Sequence, residues 1–278
     1  MRMKRIVSFV LVAMIGISAC AQKLKVAVET PGTLSAQLSG AEGVESIVVS
    51  GSIDDSDLLA LRGLPKLRKV DMRKVKNIII GDSAFFGMKQ LESVRLPRYL
   101  QKIGRSAFEG CKSLKYVECP GYLEELPERM FCGCVSLDRL DILNSRITRI
   151  GTAAFMNSGI RLIPLPKMLT TIGNFAFAGC EKIEMIHIPM WVGTIGQRAF
   201  ANCKRLRGIV LRMDTPPVCA ADAFVGIEAC TLYVRHPEFF RDREPWSTIN
   251  MSYDNYNGDE LRSFDQSDIR DLKQNLKR

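Results

Sequence analysis

Nine cysteines and two histidines are the residues of this 278-residue chain best suited to ligate a metal or act as nucleophile and base. Cys111, Cys134, Cys180 and Cys203 share one column of a sequence repeat, and Met88, Ser158 and Ile227 occupy the same column elsewhere. A slot that accepts Met and Ile selects a small or flexible apolar group rather than a ligand. No His accompanies these cysteines, as a zinc site would favour. Stacked repeat units about 4.8 Å apart could bring Cys111 to Cys134 and Cys180 to Cys203 within disulfide reach. The tolerance of the column favours buried thiols instead. Cys119 reads as a core position and Cys132, in a variable column, as an exposed one. Cys219 and Cys230 flank the last loop and could pair in an oxidising compartment.

The histidines do not converge on these cysteines. His187 takes an outward strand position beside Met185, in a column with Arg95, Glu118, Asp141, Pro164 and Val210, which share no chemistry. His236 stands apart from it. The acidic residues do not pair at repeat spacing, and neither a Gly-rich phosphate loop nor a nucleophile motif is present. The sequence therefore predicts no catalytic residue, no metal and no cofactor.

The elements that carry these residues repeat about every 23 positions. Phe recurs at 85, 108, 131, 155, 177, 200 and 224, with Ile or Leu five places earlier for the first six. A period in this range marks a solenoid, in which each unit stacks on its neighbours. The second half of the unit reads apolar-x-x-apolar-x-apolar, as in Leu114, Val117 and Cys119, and nine such triplets run from Val44 to Val234. One step between triplets is 24 residues and the rest are 23. The last two apolar residues alternate as in a strand, so they point inward together and the residue between them points out. Nine short parallel strands are expected, one per coil. A single coil buries too little apolar surface to offset the entropy of ordering its backbone, so stacking must supply the rest. Gly81, Gly104, Gly151, Gly173 and Gly196 are expected in turn conformations that a Cβ opposes. The prolines at 97, 120, 166 and 189 end the strands.

The unit I-G-x-x-A-F-x-G-C-x-x-L-x-x-V-x-L-P stands nearly whole at Ile103–Pro120, Ile172–Pro189 and Ile195–Leu211. It resembles the BspA-type leucine-rich repeats of surface and secreted proteins from host-associated bacteria and some parasites. The third repeat departs with Leu126-Pro127 and the fourth with Asn157-Ser158. The resemblance implies an α/β leucine-rich-repeat solenoid of about nine coils, with short parallel strands on one face, helical turns and loops on the other, and a capped C-terminus. It also implies a non-catalytic, adhesin-like role.

Residues 1–21 form an export signal: a basic start, an apolar run from Ile6 to Ile17, and small residues. The run is too short for a stable membrane span. Two cleavages compete. Ile17-Ser18-Ala19-Cys20 resembles a lipobox that would leave Cys20 lipidated, and Ala19-Cys20-Ala21 would free Gln22. Residues 22–79 are a divergent start to the array, with a turn at Gly32 entering a short helix and a second helix capped by Asp54 or Asp55. The run from Arg62 to Lys76 carries seven cationic residues and Asp71, a solvated face or a contact for anionic head groups or acidic glycans. Residues 80–226 hold six repeats. Residues 227–278 form the cap, through Pro245-Trp246, and a tail whose Leu261, Phe264, Ile269, Leu272 and Leu276 share a helical face.

The formal charge of +9 falls to +6 once Arg2, Lys4 and Arg5 leave with the leader. The basic residues are spread among acids without aromatic interleaving, which disfavours nucleic-acid binding. Candidate contact residues lie two places after each strand-ending Pro: Tyr99, Tyr122, Met168 and Trp191. Ser145 and Arg146, with one inserted residue, break this column in the third repeat. Leu100, Leu123, Ile147, Leu169 and Val192 follow as core, which turns the Tyr–Trp column outward along a rim. These residues either shield the turns by stacking on one another or contact a partner. The expected function is an exported monomeric binding protein, at the outer cell surface or in the periplasm, touching a protein or glycan on a host or microbial surface. Membrane contact is expected only through the lipid anchor. A periplasmic envelope scaffold is the alternative, and an enzyme on a repeat scaffold is disfavoured.

Overall fold

A computed structural model describes residues 23–252 apart from 141, 143, 144 and 212. The expected export signal with Cys20, and the expected amphipathic tail from 253 onward, lie outside the described residues.

Three backbone ladders hold successive coils together. The broad ladder is parallel throughout and begins with Lys23–Val28, Ser46–Gly51, Lys69–Val75, Ser93–Arg95 and Tyr116–Glu118. It ends with Met185–Ile188, Gly208–Leu211, Thr231–Tyr233 and Asn250–Ser252. Ile47, Val70, Val94 and Val117 stand in register, as do Ile186, Ile209, Leu232 and Met251. The 24-residue step appears as a register shift, with Val48 opposite Asp71 but Ser50 opposite Lys74.

Three features of the expected strand set are revised. A rung at each end, Lys23–Val28 and Asn250–Ser252, was absent from the triplet pattern. Between the two sheets, among the described residues, the pairing is an isolated bridge, Arg139 to Leu162. Pro164 brings no amide hydrogen there, so it cannot extend the pairing. The expected alternation also fails at Gly208–Leu211, where all four residues are buried. The Met185 and Tyr233 side chains close over Gly208 and leave its outward side covered.

A second, narrow ladder follows each strand turn: Ile79–Ile80 with Lys102–Ile103, then Glu125–Leu126, Arg149–Ile150, Thr171–Ile172, Thr194–Ile195 and Val218–Cys219. Its inward column is the Ile or Leu five places before each of the first six Phe residues, with Cys219 in that place before Phe224.

The third ladder runs through the Phe turns. Amides of Ser106, Phe108 and Gly110 donate to the carbonyls of Glu128, Met130 and Cys132 in the next coil, at 2.9 Å each. The pattern recurs at Phe85, Phe131, Phe155 and Phe177. Two residues per turn take left-handed backbone, for instance Ser106 at φ 54° and Gly110 at φ 73°. The far side of the coil is therefore built of stacked turns. Among the described residues the α-helices are α1, Leu34–Gln37, and α2, Asp55–Arg62. Asp54 caps α2 by accepting from the Ser56 and Asp57 amides. The buried Asp57 carboxylate accepts from the amides of Asp54, Gly32 and Leu34, which ties the starts of the two helices together.

The glycine expectation is corrected by this geometry. Gly104 does not have positive φ; a Cβ there would overlap the backbone of Gly81 and Asp82 in the preceding coil. Close approach between coils requires that column. The left-handed column lies six residues on, at Gly87, Gly110, Gly133, Gly179 and Gly226, with Asn157 and Asn202 in the same place.

The core is a file of stacked rings. Phe85 through Phe224 pack with centroids 5.1–5.4 Å apart and interplanar angles of 1–20°. Offset stacking of this kind adds about 0.5–1.5 kcal/mol per pair beyond burial. Trp246 tilts 55° against Phe224 and meets Phe240 edge-on, so the file ends on the cap.

Candidate surface-binding rim

The cysteine column is structural chemistry. The thiols of Cys111, Cys134, Cys180 and Cys203 donate to the carbonyls of Phe85, Phe108, Phe155 and Phe177 at 2.9–3.2 Å. Ser158, in the same column, sits 3.4 Å from the Cys180 sulfur. Burial pushes the Cys111 and Cys180 thiols up to about 12, and raises Cys134 and Cys203 as well. Such thiols are poor nucleophiles. One expectation is corrected: Cys132 is buried, whereas Cys119, half-buried, packs against the core. Cys219 and Cys230 are both thiols in this structure, raised by burial to about 12 and about 11.

His187 is half-buried on the outward strand face, and the exposed His236 ring lies 3.2 Å from Glu238. Among the described residues, no group of three or more His, Cys, Asp or Glu could hold a metal ion.

The basic run from Arg62 to Lys76 is partly neutralised from the next coil. Arg68 pairs with Glu92, whose carboxyl the Arg68 hydrogen bond holds below the usual range. Asp71 lies between Arg73, at 2.8 Å, and Arg95, at 3.6 Å, and Arg95 reaches Glu118 at 3.5 Å. Burial raises the Asp71 carboxyl, but the Arg73 hydrogen bonds and the Arg95 charge outweigh it and hold it low. Cation–acid pairs between coils also occupy the turn side: Glu109–Arg129, Glu128–Arg105, Asp222–Arg198 and Glu181–Lys204.

The rim is built differently. The strand-ending prolines accept from the amide three residues on: Pro97 from Leu100, Pro120 from Leu123, Pro166 from Leu169 and Pro189 from Val192. This tight turn buries the fourth residue and projects the third. Tyr99, Tyr122, Met168 and Trp191 are 65%, 42%, 59% and 61% exposed, while Leu100, Leu123 and Leu169 are fully buried. The coil without a rim Pro replaces the turn with Ser145, whose amide and hydroxyl both donate to the Ile142 carbonyl.

Four sequence-chosen residues thus stand on one rim, and the break between them is filled. The Arg146 guanidinium lies 5.2 Å from the centre of the Tyr122 ring. On the other side of Tyr122 the Tyr99 ring stands 5.8 Å away, tilted by 49°. Sequence reasoning set Arg146 aside because of the inserted residue. It also passed over Met190, exposed beside Trp191, although Met190 follows directly after the strand-ending Pro189. Arg98, Arg146 and Lys167 are the charged residues at the two exposed positions of these five turns, and none is acidic. None of the three has an ion-pair partner among the described residues.

The model of the BspA type leucine rich repeat region matches residues 78–207 in six copies. No curated protein matches the chain. Among solved structures, a leucine rich repeat protein of T. pallidum is 27% identical, covering 51% of this chain and 57% of its own, with a TM-score of 0.36. A leucine-rich repeat protein from Bacteroides ovatus is 18% identical, covering 63% of each chain at a TM-score of 0.37. A leucine rich cell surface protein from Faecalibacterium prausnitzii is 18% identical, covering 80% of this chain and 63% of its own at 0.39. The chain thus spans 57–63% of the length of these three proteins. The six stacked coils at residues 78–207 are BspA-type leucine-rich repeats, and the chain folds as a leucine-rich-repeat solenoid.

Proposed function

We propose that this chain is an exported, non-catalytic binding protein that meets a protein or glycan partner through the rim of Tyr99, Tyr122, Met168 and Trp191. The observation that carries the reading is the contrast along one turn. Each exposed rim side chain precedes a fully or almost fully buried one, so the rim residues are large and apolar without contributing to the core. Large amphipathic rings held on a rigid scaffold are common binding hot spots because little side-chain entropy is lost on contact. Export rests on the leader at residues 1–21, and a lipid on Cys20 would hold the solenoid at a membrane surface.

Two measurements test this. Protease shaving of intact cells that removes the protein places it outside the outer membrane, whereas full protection supports the periplasmic scaffold. The purified chain, applied to an array of immobilised matrix proteins and glycans, should bind at least one. A Tyr122→Ala/Trp191→Ala variant should lose that binding at an unchanged melting temperature. Retained binding in the double variant would move the contact away from the rim.

A further inference from the structure

We infer that the rim takes an acidic polysaccharide laid along the solenoid axis, a refinement that rests on the rim being the contact surface. The file of Phe rings gives the coil repeat as 5.1–5.4 Å, and the rim presents one large side chain at each repeat from Tyr99 to Trp191. Four coil steps extend it over roughly 20 Å. A row of this kind suits a polymer that offers the same face at every unit. The apolar face of a sugar ring stacks on Tyr or Trp, and Met168 and Met190 supply soft apolar surface between and beside the rings.

Charge selects the acidic kind. On the outward strand face and on the turn side, many arginines pair with an acid of a neighbouring coil. On the rim, Arg98, Arg146 and Lys167 have no such partner among the described residues. Arg146 is also held over Tyr122, so its guanidinium stands in line with the rim side chains. A uronic acid laid across that position would present its carboxylate to the guanidinium, where a charge-assisted and frequently bidentate hydrogen bond forms. Glu124 and Glu125 lie beyond the buried Leu123, toward the narrow ladder, and restrict the acidic groups to the Arg98–Arg146–Lys167 side.

The test measures affinity electrophoresis of the full mature chain through gels containing polygalacturonate, hyaluronan or dextran. The two polyuronates should retard the protein and dextran should not, and the retardation should weaken as salt is raised. Arg146→Gln should weaken polygalacturonate binding at least fivefold and Trp191→Ala at least tenfold, with melting temperatures unchanged. Lys74→Gln/Lys76→Gln, in the N-terminal basic run, should leave it intact. Retardation by dextran equal to that by polygalacturonate, or loss through Lys74→Gln/Lys76→Gln and not through Arg146→Gln, would overturn the inference. If no polysaccharide binds but the Tyr122→Ala/Trp191→Ala variant loses binding to an immobilised matrix protein, the polysaccharide inference fails and the rim stands. If the rim variants leave all binding unchanged, both fail.

Discussion

Arg146 packs its guanidinium over Tyr122 across one coil step, 5.2 Å from the ring centre, and so fills the one place where the rim column has no apolar side chain. The contact is exposed, and exposed cation–π pairs contribute about 0.5–1 kcal/mol. Arg146→Ala, Tyr122→Ala and Trp191→Ala should therefore each lower stability by less than about 1 kcal/mol in urea unfolding. Losses near 3 kcal/mol would show that the rim supports the fold and is not a free contact surface.

The Phe file predicts the opposite behaviour. Phe108 and Phe177 are fully buried, with a stacked ring on each side. Phe108→Ala or Phe177→Ala should cost about 3–5 kcal/mol. Hydrogen exchange should speed up in the flanking coils as well, because each coil depends on its neighbours. Near-native melting of both variants would contradict this.

The thiol column makes stability fall in alkali. A Cys near 9 in the unfolded chain but near 12 in the fold, as at Cys111 and Cys180, keeps its proton longer when folded. Its contribution is fully present below pH 9 and is lost as pH rises toward 12, because the unfolded state sheds the proton first. Unfolding free energy should decline from pH 9 to pH 11, less steeply in Cys180→Ala. In the native protein at pH 8, a thiol reagent should leave Cys111, Cys134, Cys180 and Cys203 unmodified and should label them in denaturant. Mass evidence for a Cys111–Cys134 bridge would refute this.

The two glycine columns should respond differently. Gly110→Asn should be nearly neutral, since Asn157 and Asn202 adopt the same left-handed backbone in the same column, at φ 55° and 57°. Gly104→Ala should destabilise by about 1–3 kcal/mol, because the new methyl would push Gly81 and Asp82 of the adjacent coil away. Equal effects in thermal melts would mean that coil separation does not control the Gly104 position.

Cys20 predicts where the mature chain resides. If the lipobox is used, Cys20→Ala should shift the protein from the membrane to the soluble fraction, and the wild-type N-terminus should be a lipidated Cys20. A free N-terminus at Gln22 would assign the other peptidase.

Much of this was legible because a solenoid converts period into position. Each residue type at a 23-residue spacing meets its own kind one coil away, so the Phe file, the buried Leu100–Leu123–Leu169 column and the outward Tyr99, Tyr122 and Trp191 followed from counting. A cap at Asp54 or Asp55 was legible because capping is local, and the hydrogen bonds from the Ser56 and Asp57 amides assign it to Asp54. What the period could not show depends on contacts across it. Gly104 and Gly110 look alike in sequence, and only the approach of Asp82 to one and the left-handed turn at the other separate their reasons. Val210 reads as an open-face position, yet it is buried in the fold, where Met185 and Tyr233 also cover the neighbouring Gly208. Cys132 occupies a variable column, and its burial follows from the packing of neighbouring turns. Arg146 stood outside the column by one inserted residue, and only the folded turn at Ser145 returns it to the rim beside Tyr122. Repetition determined which residues share a line along the stack, while side-chain volume and backbone approach between coils decided which of them are covered.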